Sequence, residues 1–508
     1  MIEGLDELLN QLAVHTSLGH AKRNRAFVRQ VECLARHPGS TASGSCHDMA
    51  AATSAYRFAG NESVDLAELR KTRLAVALNS CPAHETILAI NDVSLLDYFW
   101  HDSKADRRAI GDGKGKGYEY VCNLGIALES GQYLGVLHDC LINAEGPDDV
   151  NQIDYHGDEL FTSLSERDPS RLECNHKHIL KCHFCHIAGN TAGRLVILVA
   201  DREFDDHFIF ESCGEIGQDF VIRSNASRNV QVPVGLDWLP PTEYTKRYAG
   251  LPLLPDHLCT TMAALVDNVP LKPFKSIPLD GKGRLTDEKS ARSYAAVSVG
   301  SFAIKLYRKA KRNKTYFLPC DYVSLNVVVV REKVPPEGRE PIQWILYTSL
   351  PVNTMEQIRH VVRIYELRWL IECFFKYLKS GFEIEELRYD DVRKTAIHLV
   401  ATTIAAAFLC NLKMKLGLPR CARLPADDYD RVKQAVGNLN NPAIDPSLRV
   451  FALLAKSGGW KGRRNDPISP LTLMRGFRQI VDAFFLFETA PDLIPYLKSL
   501  FGKSKKCV

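Results

Sequence analysis

Residues 365–379 read Tyr365-Glu-Leu-Arg-Trp-Leu-Ile-Glu-Cys-Phe-Phe-Lys-Tyr-Leu-Lys379, and this stretch indicates the fold of the 508-residue chain most directly. Five polar side chains recur at steps of three or four residues, which places them in a sector of roughly 80° on one helix. Apolar residues occupy the opposite side, as in a helix that packs on a core by one face. The polar stripe consists of Tyr365, Arg368, Glu372, Lys376 and Lys379.

This stripe carries one acid among cations. An ordinary solvated helix face would gain a few tenths of a kcal/mol from a pair such as Glu372 and Lys376. A single carboxylate flanked by cations and hydrogen-bonding groups equally suits a site that holds a metal ion together with several phosphates. The stripe alone leaves both interpretations open.

Two short apolar runs each end in an aspartate, Thr86-Ile-Leu-Ala-Ile-Asn-Asp92 and Leu195-Val-Ile-Leu-Val-Ala-Asp201. Such runs are typical of strands buried on both faces, and ligands bind beyond the carboxyl ends of these strands. Each acid could instead begin a turn or cap a helix. Together with Glu372 they make a set of three carboxylates that can hold a pair of divalent cations.

The third-acid segment resembles that of the DDE-type cut-and-paste DNA transposases of the IS-four family, in particular those similar to the transposase of the bacterial transposon Tn-five. The helix of the family that bears its third acid carries Tyr-x2-Arg-x3-Glu-x6-Lys. Tyr365, Arg368, Glu372 and Lys379 match this pattern without a gap, and Lys376 matches a common extra lysine.

The surroundings of the other two acids also resemble this family. The first acid lies in Ala-Ile-Asn-Asp92-Val-Ser-Leu, and the second lies in Val-Ala-Asp201-Arg-Glu-Phe-Asp, close to the family pattern Asp-Arg-Glu. Val93-Ser94 depart from the family, in which two threonines usually follow the first acid. The resemblance implies that Asp92, Asp201 and Glu372 are the catalytic residues and the metal ligands.

Further segments resemble the parts of these transposases that bind DNA. Phe220-Val-Ile-Arg223-Ser is similar to a strand whose arginine contacts DNA near the cleavage site. The segment Ile342 to Pro351 is similar to one whose tryptophan packs against a flipped base, and Leu18 to Arg25 and Ala55 to Phe58 are similar to the end-binding domain. The DNA contacts implied by the resemblance are Tyr365, Arg368, Lys376, Lys379, Arg223, Trp344, Trp369, Lys22, Arg23, Arg25 and Arg57.

A basic run adds two candidate DNA contacts. Residues 305–314 hold six cations and no acid, and this run includes Lys309 and Arg312. Such a run is often just a solvated hairpin tip. Beside a set of three acids, DNA contact becomes the favoured interpretation.

The order of elements indicates an α/β fold. An acid strand, a hairpin of Tyr120 to Glu129 and Tyr133 to Ile142, a second acid strand and an acid helix follow one another, as in an RNase H-like core. The resemblance adds a β-rich insertion and two flanking helical domains. The predicted divisions are 1–76 for binding transposon ends, 77–392 for catalysis with the insertion at about 225–350, and 393–508 for dimerisation.

The length, net charge and cysteine content of the chain agree with this prediction but would not indicate it by themselves. The length predicts about three domains. The net charge of +4 is too small to indicate nucleic-acid binding by itself. Fifteen cysteines, an odd number, fit a reducing bacterial cytoplasm better than a disulfide framework. The apolar run from Thr395 to Leu416 is interrupted by polar residues, which favours a buried helix over a membrane span.

A zinc site is an alternative role for the segment from Cys174 to His186. Cys182-x2-Cys185 has the spacing of zinc ligands, and Cys174 or His176 would complete a tetrahedral set. The second Cys-x2-Cys pair that would strengthen this hypothesis is missing.

The resemblance implies a homodimer that binds the terminal inverted repeats of double-stranded DNA. Two Mg²⁺ ions, replaceable by Mn²⁺, would support cleavage of the ends through a hairpin and joining of the 3′-OH ends to target DNA. Two alternatives stay open: a catalytically decayed DNA-binding regulator that dimerises, and an RNase H-like structure-specific nuclease.

Overall fold

The computed structural model describes most of the chain. The described residues are 4–37, 46, 49–155, 161–163, 172–191, 193–244, 254–278, 294–307, 322–335, 341–415, 426–460, 468, 472–473, 475–477 and 479–480. Lys309 and Arg312, predicted to contact DNA, lie outside this part.

Helices enclose a large mixed sheet. The helices are α1 (Leu5–His15), α2 (Ala21–Arg36), α3 (Met49–Ala59), α4 (Leu66–Ser80), α5 (His176–Asn190), α6 (His207–Glu215), α7 (Met262–Asn268), α8 (Met355–Leu367), α9 (Trp369–Lys376), α10 (Val392–Lys415), α11 (Ala426–Gly437) and α12 (Pro446–Ser457). The strands are β1 (Ile87–Asp97), β2 (Arg108–Ile110), β3 (Gly115–Ala127), β4 (Tyr133–Ile142), β5 (Phe161–Ser163), β6 (Leu172–Cys174), β7 (Val196–Ala200), β8 (Asp219–Ser224), β9 (Asn229–Pro233), β10 (His257–Thr261), β11 (Lys272–Pro278), β12 (Tyr294–Tyr307), β13 (Tyr322–Glu332) and β14 (Gln343–Thr348).

Twelve strands of the described part form one sheet in the order β10-β9-β12-β13-β14-β8-β7-β1-β3-β2, with β4 on β3 and β11 on β12. Strands β1, β7 and β8 run parallel, and the hairpin β3–β4 runs antiparallel beside β1. The predicted order of acid strand, hairpin, second acid strand and acid helix is therefore confirmed. The β-rich segments after β8 extend the same sheet through β14.

The two faces of the sheet bury different helices, because successive side chains of a strand point to opposite faces. On one face, Leu88 and Ile90 pack in a cluster with side chains of α8, α9, α10 and the amino-terminal helices. On the other, Ile87 and Ala89 pack in a cluster with side chains of α5, α6 and α7. Asp92 follows Leu88 and Ile90 at steps of two, so it faces α9.

Strand β1 does not end at Asp92, and this part of the prediction was wrong. The strand continues to Asp97 because β3 pairs with it from Ile87 to Asp97. The parallel partner β7 stops earlier, and its last pair with β1 is Ile90 with Val199. The parallel pairing of β1 with β7 therefore ends two residues before Asp92.

The amino-terminal helices share a core with the sheet. Phe27, Val31 and Leu34 of α2 are buried in the same cluster as Leu88 and Ile90. Helix α4 crosses the predicted division at residue 76, and two of its arginines are buried against β4.

The carboxyl-terminal helices divide into two groups. Helix α10 packs on β4 and α2 inside the main core, whereas α11 and α12 form a separate small cluster around Phe451. Among the described residues, α10 is the one helix with the length and apolar composition of a membrane span, over Val392–Leu412. In the most apolar 18-residue stretch of this helix, 83% is buried inside the protein.

Candidate active site

Asp92 and Asp201 lie beside each other where the parallel pairing of β1 with β7 ends. Asp201 directly follows β7, and extending the register past Ile90 and Val199 sets it opposite Asp92. The Asp201 carboxylate accepts a hydrogen bond from the Glu203 backbone N–H at 2.9 Å and so caps a short 3-10 helix, Arg202–Phe204. Asp201 thus sits at the carboxyl end of β7, and Asp92 lies within β1 just past the end of its parallel pairing with β7.

Arg368 joins the third acid to the first. Its guanidinium donates to the Glu372 carboxylate at 2.6 Å and to the Asp92 carboxylate at 3.4 Å. The Arg368 side chain is 13% exposed, so the contacts are made largely away from water. Arg368 and Glu372, which follow Asp92 by 276 and 280 positions in the sequence, therefore meet it in one pocket, as the prediction of a three-acid site requires.

The three carboxylates form one electrostatic group. Burial raises the pKa of Asp92 to about 6, and the negative charges of Asp201 and Glu372 act in the same direction. Arg368 and the Val93 backbone N–H oppose this increase. Repulsion among clustered carboxylates is relieved by a bound cation, so this donor set suits hard divalent metals, whose preferred ligands are oxygens.

Tyr365, Trp344 and Arg223 lie together beside these acids. The Tyr365 and Trp344 rings meet edge to face with centroids 5.2 Å apart. Burial raises the pKa of Tyr365, against the neighbouring charges of Arg368 and Arg223. Arg223 comes from β8 and also donates to the Gln343 carbonyl at 3.3 Å. Trp369 is half-buried at the start of α9.

The polar stripe is not one regular α-helix to its end. Helices α8 and α9 are nearly continuous through Arg368, whose backbone is helical, but residues Tyr377–Gly381 form a π-turn. Because a π-turn closes i to i+5 hydrogen bonds, Lys379 rotates out of line with Glu372. It donates to the Leu95 carbonyl and pairs with Glu385 at 3.3 Å, whereas Lys376 is exposed.

The predicted DNA contacts of the amino-terminal region lie on two helices. Lys22 and Arg25 are exposed and Arg23 is half-buried on α2, while Arg57 is exposed on α3. Helices α2 and α3 pack on each other and on α10. These cations therefore belong to a surface carried by the helical layer.

His176, a candidate zinc ligand from the sequence, has another role. Its two ring nitrogens lie 2.7 Å from a Glu119 carboxylate oxygen and 2.8 Å from one of Glu203. Burial lowers the pKa of His176, but the two carboxylates outweigh burial and raise it to about 9. Carboxylates thus engage both ring nitrogens, and the ring connects β3 to the turn that follows Asp201.

Neither cysteine of the Cys-x2-Cys pair is poised as a thiolate. Burial raises the pKa of Cys182 to about 11 and also raises the pKa of Cys185. The side chain of Cys174 lies outside the described residues.

A different group of possible metal ligands converges in the described residues. Ligand atoms of His138, Asp149 and His183 all lie within 4.8 Å of one another, and all three residues are buried. Both histidine Nε2 atoms contact the same Asp149 oxygen, at 2.7 and 3.0 Å. The sequence prediction missed this group because its members come from β4, a loop and α5, and only His183 lay in a segment with metal-ligand spacing.

Two asparagines fix the tautomer of His183. Asn91 donates to the Asn123 amide oxygen at 3.1 Å, so the Asn123 amide nitrogen faces His183 Nδ1 at 3.1 Å. Nδ1 of His183 therefore accepts a hydrogen bond from Asn123, and its protonated Nε2 donates a hydrogen bond to Asp149. The group is thus complete as a hydrogen-bonded network, on the face of the sheet opposite Asp92.

Residues 182–408 match a protein-family model described as the transposase DDE domain. This segment contains Asp201, Glu372 and the whole polar stripe, and Asp92 precedes it. DDE transposases generally use divalent metals, and a transposase domain implies DNA as a partner. The match and the large mixed sheet together support a DDE transposase, an enzyme of the transposase or endonuclease type.

Proposed function

We propose that the protein is a cut-and-paste DNA transposase of the IS-four type, similar to the transposase of the transposon Tn-five, with an RNase H-like catalytic core. The observation that carries the proposal is the pocket in which Arg368 bridges Asp92 and Glu372 next to Asp201. Three acids from two parallel strands and a basic helix meet there.

Asp92, Asp201 and Glu372 would hold two Mg²⁺ ions, with Mn²⁺ as a substitute. The fit rests on the convergence of three carboxylates whose oxygens are the ligands that hard divalent metals prefer; burial raises the pKa of Asp92, and the charges of Asp201 and Glu372 add to that increase. The ions would supply an activated water and would stabilise the leaving 3′ oxygen.

The surrounding side chains orient the DNA. Arg223, Arg368 and Lys376 would contact phosphates beside the scissile bond, as charge-assisted hydrogen bonds to phosphate are strong. Tyr365 would bind there through its hydroxyl and hold the Trp344 ring by the edge-to-face contact. Trp344 would stack on the base that leaves the helix when the cut end folds into a hairpin.

The reaction would proceed by successive in-line displacements at phosphorus. Water would nick the transposon end, the freed 3′-OH would attack the opposite strand to form a hairpin, water would open it, and the 3′-OH would join target DNA.

The helical region 1–76, with Lys22, Arg23, Arg25 and Arg57, would recognise the terminal inverted repeats. The region 393–508 would pair two protomers, and Lys309, Arg312 and Lys379 would add DNA contacts.

A denaturing gel tests the proposal. Purified protein is incubated with Mg²⁺ and end-labelled duplex that carries the element's own terminal repeat and flank. A nick followed by a hairpin product, absent with Glu372→Gln, is the expected result. Binding without any cut would favour the decayed regulator, and cutting that ignores the repeat would favour a structure-specific nuclease.

A further inference from the structure

We propose that the loop between β1 and β2 is a DNA-docking surface, on which Trp100 stacks against a base step of the duplex held at the three acids. This inference rests on the proposed function, which makes duplex DNA the ligand. It adds a contact that the polar stripe and Trp344 do not provide.

The exposure of the aromatic pair is the first observation. Trp100 is 88% exposed and Phe99 is 41% exposed, and their rings meet edge to face with centroids 4.9 Å apart. Single exposed apolar side chains are common on soluble proteins. Among the described residues, however, no large apolar side chain is more exposed than Trp100. The Trp100 ring, which the Phe99 ring contacts at 82°, is therefore an exposed apolar wedge of the kind that inserts at a base step of a duplex.

The backbone beneath the pair is fixed. Tyr98 is buried and its hydroxyl donates to the Ile384 carbonyl at 2.8 Å. Arg107 donates to the carbonyl oxygens of Tyr98 and Phe99, at 2.6 and 3.0 Å. These bonds hold the Phe99 backbone in one orientation, so the exposure of the rings is a feature of the folded loop.

A buried lysine anchors the far side of the loop. Lys104 is fully buried, and its amine donates to the Tyr389 carbonyl and to the Thr395 hydroxyl. The amine also lies 4.6 Å from the centroid of the Tyr98 ring. Burying a charged amine costs free energy unless the amine is paired, so these contacts hold the loop in this position.

The loop is close to the acids. Trp100 follows Asp92 by eight residues, which bounds their separation at about 29 Å, less than one turn of B-DNA at about 34 Å. The acid helix reaches the same place, because Lys379 donates to the Leu95 carbonyl and Glu385 accepts from the Asp97 backbone N–H at 3.0 Å. A duplex that contacts the polar stripe would continue toward Trp100.

Acidic and basic side chains are mixed around the loop, where Asp97 and Glu386 are exposed. Three acids of this surface are paired with cations. The pairs are Asp102 with Arg107 at 3.4 Å, Asp112 with Lys114 at 2.8 Å and Glu385 with Lys379 at 3.3 Å. Lys116, whose carbonyl accepts from Tyr98, and Arg388 add exposed positive charge.

The test measures DNA binding in the absence of cleavage. The full chain with Glu372→Gln is titrated against a duplex of the element's terminal sequence that carries 2-aminopurine at successive positions within one turn of the scissile phosphate. Adding Trp100→Ala should weaken binding by roughly 5- to 100-fold and abolish the fluorescence change at one position. Trp100→Phe should retain that change, and Val334→Ala, which removes another exposed apolar side chain, should bind like the parent.

Two outcomes would overturn the inference while leaving the proposed function intact. One is a Trp100→Ala variant that binds and reports like the parent on a duplex that the unmodified chain cleaves. The other is a change from dimer to monomer in sedimentation without a change in fluorescence, which would assign the surface to a second copy of the chain. If the parent does not bind the duplex at all, the proposed function fails as well.

Discussion

At the residue scale, Arg368 contacts two of the three acids. The guanidinium contacts the carboxylates of Asp92 and Glu372 at 3.4 and 2.6 Å, where a divalent cation would compete with it. The same side chain would then be free to bind phosphate.

This arrangement predicts opposite effects of Arg368→Gln on metal binding and on cleavage. Mn²⁺ should bind about three- to tenfold more tightly, because no cation has to be displaced, whereas cleavage should fall through loss of a phosphate contact. Calorimetric titration with Mn²⁺ measures the first effect. The control is Arg363→Gln, a cation of α8 that donates to the carbonyl oxygens of Leu128 and Glu129. Weaker Mn²⁺ binding by Arg368→Gln would contradict the account.

Trp344 offers a second prediction at this scale. Trp344→Ala should leave the first nick largely unchanged and should slow hairpin formation by about tenfold, because stacking on the flipped base is lost. Time courses on a denaturing gel separate the two steps. Trp344→Phe should recover part of the rate, and an equal loss of both steps would show instead that the variant damages the support of Tyr365.

At the scale of elements, His176 connects a strand to the turn that follows Asp201. It joins Glu119 of β3 to Glu203, whose backbone N–H is held by Asp201. Because the pKa of His176 rises from 6.5 to about 9 on folding, its contribution to stability is complete below pH 6.5 and is lost as the pH rises through 9.

His176→Gln should therefore lower the free energy of unfolding by about 2 kcal/mol at pH 7, and the difference should shrink toward zero above pH ~10. Urea unfolding at the two pH values measures it. Lys177→Ala, which removes a half-exposed pair with Asp206, should change stability by less than about 1 kcal/mol at either pH. A difference that does not depend on pH would assign His176 to packing alone.

Much of the site could be predicted from the sequence because its signals are local. Apolar runs indicated β1 and β7, and the period of the polar stripe indicated α9 with Glu372 outward. The extension of β1 past Asp92 depends on pairing with β3, and the π-turn at Lys379 depends on contacts with the end of β1. Interactions between distant segments of this kind leave no periodic signal.

The network around His138 and Asp149 was unpredictable for the same reason. Its members are separated by tens of residues, and a single histidine in a strand is most often a satisfied core residue. The spacing of Cys182 and Cys185 gave a stronger local signal for a metal site, yet the possible ligand atoms that converge among the described residues belong to His138, Asp149 and His183. Spacing alone does not report whether donors face one another.

At the scale of the whole molecule, buried charges bind the amino-terminal helices to the sheet. Asp139 of β4 accepts from Arg70 at 3.0 Å and from Arg73 at 2.6 Å, and the Tyr120 hydroxyl donates to it at 2.9 Å. All four groups are buried. The region predicted to bind transposon ends is therefore connected to the catalytic sheet through its interior.

Asp139→Asn should destabilise the protein by about 3–5 kcal/mol, because it leaves two buried arginines without their shared partner. Urea unfolding followed by circular dichroism gives the value. Glu68→Gln, in an exposed pair with Lys71 on the same helix as Arg70, should change the free energy of unfolding by less than about 1 kcal/mol. A small effect of Asp139→Asn would show that the helical layer does not depend on this network.

The most direct measurement of the central claim is the single-turnover cleavage rate of three acid variants on a duplex of the element's terminal repeat in Mg²⁺. Asp92→Asn, Asp201→Asn and Glu372→Gln should each retain DNA binding and lose at least about 1000-fold in rate, because each removes a proposed metal ligand. Asp206→Asn, which alters an acid that caps α6 and pairs with Lys177, should cleave near the unmodified rate. Cleavage within about tenfold of the unmodified rate by any of the three would contradict the three-acid site.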